Sequence, residues 1–483
     1  MRAPLALALA LGCLLASPAT GQAPAPGTPA HPRELVLPPL RPYLPPSPTR
    51  TELEGGGVLL SIEDRELPLV DGVLLFRGGT AEVPAERAGL LELLAEALRE
   101  GGSERTPGAQ LDAWLDSHAA TLEVRAEPDA LRFEFSCVET DLGRVLEYLG
   151  ELIALPAYSE AAVEGSRNRL LTRIARRDED PASLARHLLD RVVYGADAPR
   201  ARRPRRSAVE AVTRHALLEH HRRVLGPQRL VAGATGAVSA LELAARLEAL
   251  LSGVGGVELP PRSTPAPFRR PSRTRIHLYD RPGLPQAEIR LAGPGTRRLQ
   301  QDYAPLYLWS YAVGAGGSSN RLMVRLRTEL GLVYQGSLFF APGWSRAGRL
   351  LGSTSTRVES VPRVLEELVT QLQAGLEPLG AQELEAVRGQ VLNAEVFQVD
   401  RPEKVLARAL DLELHGYPPD FWERRAERLR SLSAQEVARA VGRYVDADRL
   451  VLVVVGPAAE LREPLEALGE VVLLEPLAGV QEQ

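Results

Sequence analysis

At 483 residues, with 45% apolar and 25% charged positions, the chain is neither a disordered protein nor one ordinary core, and two or three folded domains are expected. A net charge of −5 gives no reason to expect a nucleic-acid partner, and Lys404 is the sole lysine among cations that are otherwise arginine. Cys13 and Cys137 are the two cysteines, too few for a disulfide framework or a cysteine metal site.

Met1-Arg2 and the apolar run from Ala3 to Ala16 read as a secretory signal over residues 1–19, with small residues at Ser17-Pro18-Ala19 for cleavage. The run is too short for a permanent membrane span. Export would place the protein in the periplasm or outside the cell, and Cys13 leaves a lipoprotein anchor as the alternative. Residues 20–48, rich in Pro and Ala, form a flexible lead-in. Val73-Leu74-Leu75-Phe76 and Leu131-Arg132-Phe133-Glu134-Phe135 read as strands, and Ala88 to Leu98 and Asp141 to Ile153 carry helical periodicity. Cys137 ends an alternating strand and is expected to be a buried, inert thiol. The arginines at 200, 202, 203, 205 and 206 suggest either an anion site or a solvated loop, and a solvated loop is the expectation. Ser207 with Glu210 has the spacing of a capping box, as does Ser433 with Glu436. His220-His221 is assigned a surface or core role.

The Pro-rich stretch 255–271 cannot hold a helix or a central strand and divides the chain into domains at 49–254 and 272–478. The two repeat one another. Arg229-Leu230-Val231-Ala232-Gly233-Ala234-Thr235-Gly236 matches Arg449-Leu450-Val451-Leu452-Val453-Val454-Val455-Gly456. Val138-Glu139-Thr140 then Arg144 matches Val358-Glu359-Ser360 then Arg363, and Leu67-Pro68 precedes Gly101-Gly102-Ser103 as Leu284-Pro285 precedes Gly316-Gly317-Ser318. The fold class is α+β by duplication, each domain a mostly antiparallel sheet with helices on one face.

In the second domain Gly314-Ala315-Gly316-Gly317 lacks the Lys of a phosphate loop and is expected to be a flexible turn. Beyond it Leu322, Leu326 and Leu330 fall four apart, the mark of an amphipathic helix, and Gly331 sits where a helix end wants a left-handed residue. Arg327 then belongs to the last turn of that helix, and Tyr334 opens the next strand. A guanidinium and a phenol at such a corner could grip a peptide carbonyl. Spacing alone leaves open that Arg327 caps the helix and Tyr334 is core.

Leu326-Arg327-Thr328-Glu329-Leu330-Gly331-Leu332-Val333-Tyr334 resembles the second-domain signature of the insulinase-like (pitrilysin, M16) zinc metallopeptidases, without departure at the signature positions. The resemblance extends over most of residues 50–476 and implies two duplicated domains forming one half of a clamshell. It also implies a zinc motif of two histidines and a glutamate on a first-domain helix, with a further glutamate downstream. This sequence departs there. Glu92 and Glu96 stand at the histidine positions, Ala95 at the catalytic glutamate, and Arg173, 77 residues after Glu96, at the third ligand. Glu100 continues the acidic stripe, which reads as a solvated helix face, and Arg173 is the expected ion-pair partner. No metal or other cofactor is expected on this chain, and it is not expected to be a peptidase alone. The resemblance implies a non-catalytic subunit of a heteromeric metallopeptidase, whose zinc-bearing partner subunit would hold the metal while Arg327 and Tyr334 bind the peptide substrate. The alternative is a non-proteolytic peptide-binding or assembly scaffold.

Overall fold

The computed structural model describes residues 44–256 and 266–477. The expected signal segment, Cys13, most of the lead-in and the middle of the Pro-rich stretch lie outside the described residues. The first half runs β1 (Thr49–Glu52), β2 (Val58–Glu63), β3 (Leu69–Arg77), α1 (Leu90–Gly101), α2 (Gly108–Ser117), β4 (Thr121–Ala126), β5 (Ala130–Val138) and α3 (Leu142–Ala154). It continues through α4 (Glu160–Arg176), α5 (Pro181–Tyr194), α6 (Arg206–Glu210), α7 (Arg214–Val224), β6 (Leu230–Gly236) and α8 (Ala240–Leu251). The second half opens with β7 (Arg275–Asp280), β8 (Gln286–Pro294), α9 (Tyr303–Ser310), α10 (Arg321–Met323), β9 (Gly336–Ala341), β10 (Arg349–Arg357) and α11 (Val361–Ala374). It closes with α12 (Ala381–Val396), α13 (Pro402–His415), α14 (Phe421–Ser431), α15 (Ala434–Gly442), β11 (Val451–Gly456), α16 (Ala458–Glu466) and β12 (Glu470–Leu473).

Each half builds one six-stranded sheet, in the order β1-β2-β6-β3-β5-β4 and β12-β7-β11-β8-β10-β9. The strands that repeat in sequence are β6 and β11, and they occupy matching places. Each pairs in parallel with the half's opening long strand and antiparallel with the next. Both are almost wholly buried, as their unbroken apolar runs require. The sheets are mostly antiparallel, and one large core joins each sheet to helices of its own half.

Helices of its own half cover one face of each sheet, as expected, and the structure adds a second layer. The opposite face of each sheet is covered too, by a helix from the other half. Leu406, Leu410 and Leu414 of α13 pack on Val58, Leu60 and Ile62 of β2, Leu75 of β3 and Val231 of β6. Gly233 of β6 lies under this helix, and a Cβ there would meet Leu410 Cδ1 at 2.8 Å. Conversely, Leu184, Leu188, Leu189 and Val193 of α5 pack on Val451, Val453 and Val455 of β11 and Ala292 of β8. Arginines pin both crossings. Arg77 donates to the Glu413 carbonyl at 3.0 Å, and Arg50 grips the Glu413 carboxylate at 3.0 and 3.2 Å. On the other side Arg349 pairs with Asp190, and Arg290 donates to the Ala182 carbonyl at 3.1 Å. The exchanged helices are equivalent under the duplication, and both begin with proline at the first turn, where its missing N–H costs nothing.

Three local expectations change. Ser433 and Glu436 do form a capping box, but Ser207 does not, because Arg205 is the residue flanking α6 and Ser207 lies inside it. The glycines from 314 to 317 fall in a π-type helical turn, Tyr311–Ala315, and a short 3-10 turn rather than in a flexible loop. Of the five arginines from 200 to 206, Arg200, Arg205 and Arg206 are exposed as expected, but Arg202 and Arg203 are half-buried and bonded inward. Arg202 donates to the carbonyls of Ala81 and Val83, and Arg203 bonds Asp178 Oδ1 at 2.7 Å and the Ser183 carbonyl at 3.0 Å. Cys137 is buried, and burial pushes its thiol up to about 12. His221 is core: Tyr158 lies 2.9 Å from its Nδ1 and the Ile153 carbonyl 2.8 Å from its Nε2.

Because α13 belongs to the second half but closes the first sheet, Leu410→Ala should cost about 2–5 kcal/mol. It should also speed amide exchange in β2 and β6, read by hydrogen–deuterium exchange. Faster exchange confined to the second half would contradict this packing.

Candidate functional site

Two places in the fold bear on chemistry. The first is the outer stripe of α1. Leu90, Leu91, Leu93, Leu94, Ala97 and Leu98 turn into the core, which fixes Glu92, Glu96 and Glu100 on the side facing α4. That side is partly exposed at Glu100 and carries the ion pair expected from Arg173, together with a second arginine that was not expected. Arg173 forks onto Glu96, with one of its bonds 3.3 Å long, and Arg169 pairs with Glu100 while its Nε lies 3.9 Å from Glu96. Ser166 adds a bond of 3.4 Å to Glu100. Glu92, deeper in the fold, has its carboxyl raised above 4.5, first by burial and then by the charge of Glu96, while Arg173 and Arg202 oppose the rise. Ala95 is buried, a methyl with no acid–base capacity.

This donor set does not fit zinc. It offers no imidazole or thiolate, and two of its three carboxylates are already matched by arginine. Among the described residues no group of three or more His, Cys, Asp or Glu side chains is placed to hold a metal ion. The arrangement is an alternating Arg/Glu ladder between two helices, partly exposed and of modest energetic weight.

The second place is the corner that carries Arg327 and Tyr334. Asn320 caps the helix start, its Oδ1 accepting from the Met323 N–H at 2.9 Å. From Val324 to Glu329 the helix widens into π-type turns, with the Leu330 N–H bonding the Arg325 carbonyl at 3.1 Å. Leu322 and Leu326 stay buried, so Arg327 remains on the solvent side of the last turn. Gly331 takes the left-handed conformation, φ +63°, and lets the Leu332 N–H close the helix on the Leu326 carbonyl at 2.8 Å.

The strand does not open at Tyr334, as expected; it starts at Gly336, and Tyr334 lies in the connecting segment. That segment is held by two hydroxyls of β10. Thr356 Oγ1 donates to the Leu332 carbonyl and Thr354 Oγ1 to the Gln335 carbonyl, each at 2.7 Å. Val333 is buried between them while Tyr334 is 79% exposed. The Arg327 guanidinium sits 5.0 Å from the centre of the Tyr334 ring, a cation–π pair. Neither side chain has a hydrogen bond or ion pair with any other described residue. Tyr334 is therefore not core, and Arg327 does not cap its helix.

Bracing residues the sequence did not single out hold this corner. Arg325 grips Glu367 of α11 with two bonds of 2.9 and 3.0 Å and reaches Glu329 at 2.9 Å, and Arg363 approaches Glu367 at 2.6 Å. Hydrogen bonds from Arg325 hold the Glu367 carboxyl below the usual range. A buried glutamate needs such cations, but only the folded chain shows which arginines supply them.

Comparisons with known proteins agree with this fold. Residues 211–391 match the family model described as the peptidase M16 inactive domain. Over that stretch the chain is similar to the M16 family, in its inactive-domain type. It is 26% identical to an uncharacterized zinc protease of Streptomyces coelicolor, covering 84% of this chain and 89% of that protein. It is 22% identical to the non-peptidase homolog YmxG of Helicobacter pylori, covering 81% and 90%. In fold it is similar to a peptidase M16 inactive domain from Pseudomonas fluorescens, with a TM-score of 0.75 at 20% identity, covering 85% of this chain and 98% of that one. The periplasmic protease PqqL of Escherichia coli gives 0.70 at 15% identity, with 85% of this chain covering 45% of that one. Among the described residues no helix is long and apolar enough to cross a membrane.

The raised carboxyl of Glu92 makes a signed prediction. Its folded-state pKa lies above its unfolded one, so ionising it in the fold lowers stability as pH rises from about 4.5 toward the folded value. Glu92→Gln should therefore raise the urea midpoint at pH 7 and leave it little changed at pH 4. An equal or lower midpoint at pH 7 would contradict the burial argument.

Proposed function

We propose that this chain is the zinc-less subunit of a heteromeric M16 peptidase and that it supplies Arg327 and Tyr334 to an active site whose metal sits on the partner subunit. The observation that supports this reading most is the contrast between the two sites. At the zinc position every ligand is replaced and Glu96 is paired with Arg173, whereas the Arg327/Tyr334 corner is braced from beneath and leaves its donors free. A braced but unspent pair has the form of a binding element, because the order it needs is supplied before substrate arrives.

In the assembled site the partner's zinc would polarise the attacking water. The roles of this chain's residues follow from their donors. The Arg327 guanidinium and the Tyr334 hydroxyl donate to the carbonyl oxygen of the scissile peptide, and the bonds strengthen as that oxygen gains negative charge. Arg325 and Glu367 position the helix and touch no substrate. Export through the amino-terminal segment would put the assembly in the periplasm.

The test is peptide hydrolysis by this protein alone, by a zinc-bearing M16 subunit alone, and by both together. Activity is expected only in the mixture. Arg327→Ala or Tyr334→Phe should each lower kcat by about 10²–10³, the usual cost of losing one oxyanion donor. A silent mixture, or one indifferent to both substitutions, would favour a peptide-binding scaffold without proteolysis.

A further inference from the structure

The arginine-rich segment after α5 builds a cavity that the peptidase reading does not use. Its volume is about 300 Å³, and it is lined by Arg177, His187, Arg191, Arg203 and Arg205, with Ala196, Ala201 and Leu477 as the apolar wall. We propose that this cavity is a binding site for an oxyanion of the phosphate class, either inorganic phosphate or a small phosphomonoester.

Charge carries the argument first. Among the described residues, four guanidinium groups line the space and no carboxylate does. The nearby acids cover only part of this charge. Asp178 bonds Arg203 at 2.7 Å and lies 3.7 Å from Arg177, and Asp197 bonds Arg205 at 2.8 Å. Asp190, on the same helix as His187, is committed to Arg349. The Arg191 side chain has no hydrogen bond or ion pair with any described residue. Two acids set against four arginines leave an excess of positive charge, which a dianion would neutralise.

The arginines are also held in place beforehand. Arg177 donates to the Pro204 carbonyl and Arg203 to the Ser183 carbonyl at 3.0 Å, so each keeps a fixed aim with other N–H groups to spare. Such forks match the paired oxygens of phosphate better than point charges do. His187 shows that the positive groups converge. Burial first, then the charges of Arg203, Arg191 and Arg177, push its imidazole down to about 3. It therefore enters the site as a neutral ring, which can donate one N–H without adding charge. The volume exceeds what orthophosphate alone would fill, leaving room for the small organic body of an ester against Ala196, Ala201 and Leu477.

The experiment is calorimetric titration of the full-length protein with inorganic phosphate and, separately, with glycerol 3-phosphate, in sodium chloride of matched ionic strength. Saturable binding of either probe, together with a rise in unfolding temperature that chloride does not produce, is expected. Arg191→Gln should weaken it at least about tenfold while leaving the unliganded protein's unfolding temperature unchanged, because the Arg191 side chain has no partner to lose. Arg177→Gln should weaken it as well. Arg176→Gln, an exposed arginine outside the cavity, should not. Absence of saturable binding by both probes would overturn the proposal. So would equal weakening by Arg176→Gln and Arg191→Gln, which would reduce the effect to nonspecific attraction.

Discussion

Each half of this protein leaves one face of its sheet uncovered by its own helices, and each repairs the exposure with a helix from the other half. The leucines of α13 on β2 and β6, and those of α5 on β11 and β8, are the contacts on which the two-sheet arrangement depends. A buried leucine contributes on the order of 1.5–3 kcal/mol, so a row of three on the α13 crossing outweighs the partly exposed Arg50–Glu413 pair beside it. On the other crossing the buried Arg349–Asp190 pair offsets its own desolvation. The arginine bonds to Glu413, Asp190 and Ala182 then select the crossing's position rather than supply most of its energy. Duplication makes the solution symmetric: one sequence element, used twice, fits both sheets.

Against that frame the two candidate sites diverge for a physical reason. A zinc site stabilises its helices by coordination, and a helix face that offers carboxylates without histidines must be satisfied otherwise. Here Arg169 and Arg173 do so by neutralising Glu96 and Glu100, which joins α1 to α4 without a metal. The Arg327/Tyr334 corner shows the opposite economy. The Arg325–Glu367 fork, the glycine turn and the two threonine hydroxyls are all spent on holding the backbone, and the two exposed side chains remain uncommitted to the rest of the chain.

Much of this was legible in sequence where the signal was local. The matched strands ending at Gly236 and Gly456, the left-handed Gly331 and the helix through Leu322 and Leu326 each depend on neighbours within a few residues. What failed depended on distant partners. An amphipathic pattern shows that α13 has an apolar face, not that the face belongs to the other half's sheet. On α1 the pair of Arg173 with Glu96 was anticipated, but that of Arg169 with Glu100 was not, because Arg169 lies about seventy residues away in the chain. Arg202 and Arg203 looked as solvated as their exposed neighbours because their acceptors are mostly backbone carbonyls and one aspartate, which no spacing announces. Ser207 had the right spacing for a cap, yet the helix start is set one turn-position earlier by the extended backbone at Arg205. Tyr334 was placed in a strand because the apolar run continues through it, whereas the threonine bonds hold that stretch outside the ladder.

The central claim is that Tyr334 meets a peptide only inside a site completed by a second subunit, and photocrosslinking tests it most directly. With Tyr334→p-benzoylphenylalanine, irradiation in the presence of a zinc-bearing M16 subunit and a slowly cleaved peptide should attach this position to the peptide, and mass spectrometry should locate the bond near the scissile residue. The same irradiation without the second subunit should leave the peptide unlabelled. Labelling that is equal with and without it would contradict the account, because the peptide would then be held by this chain alone.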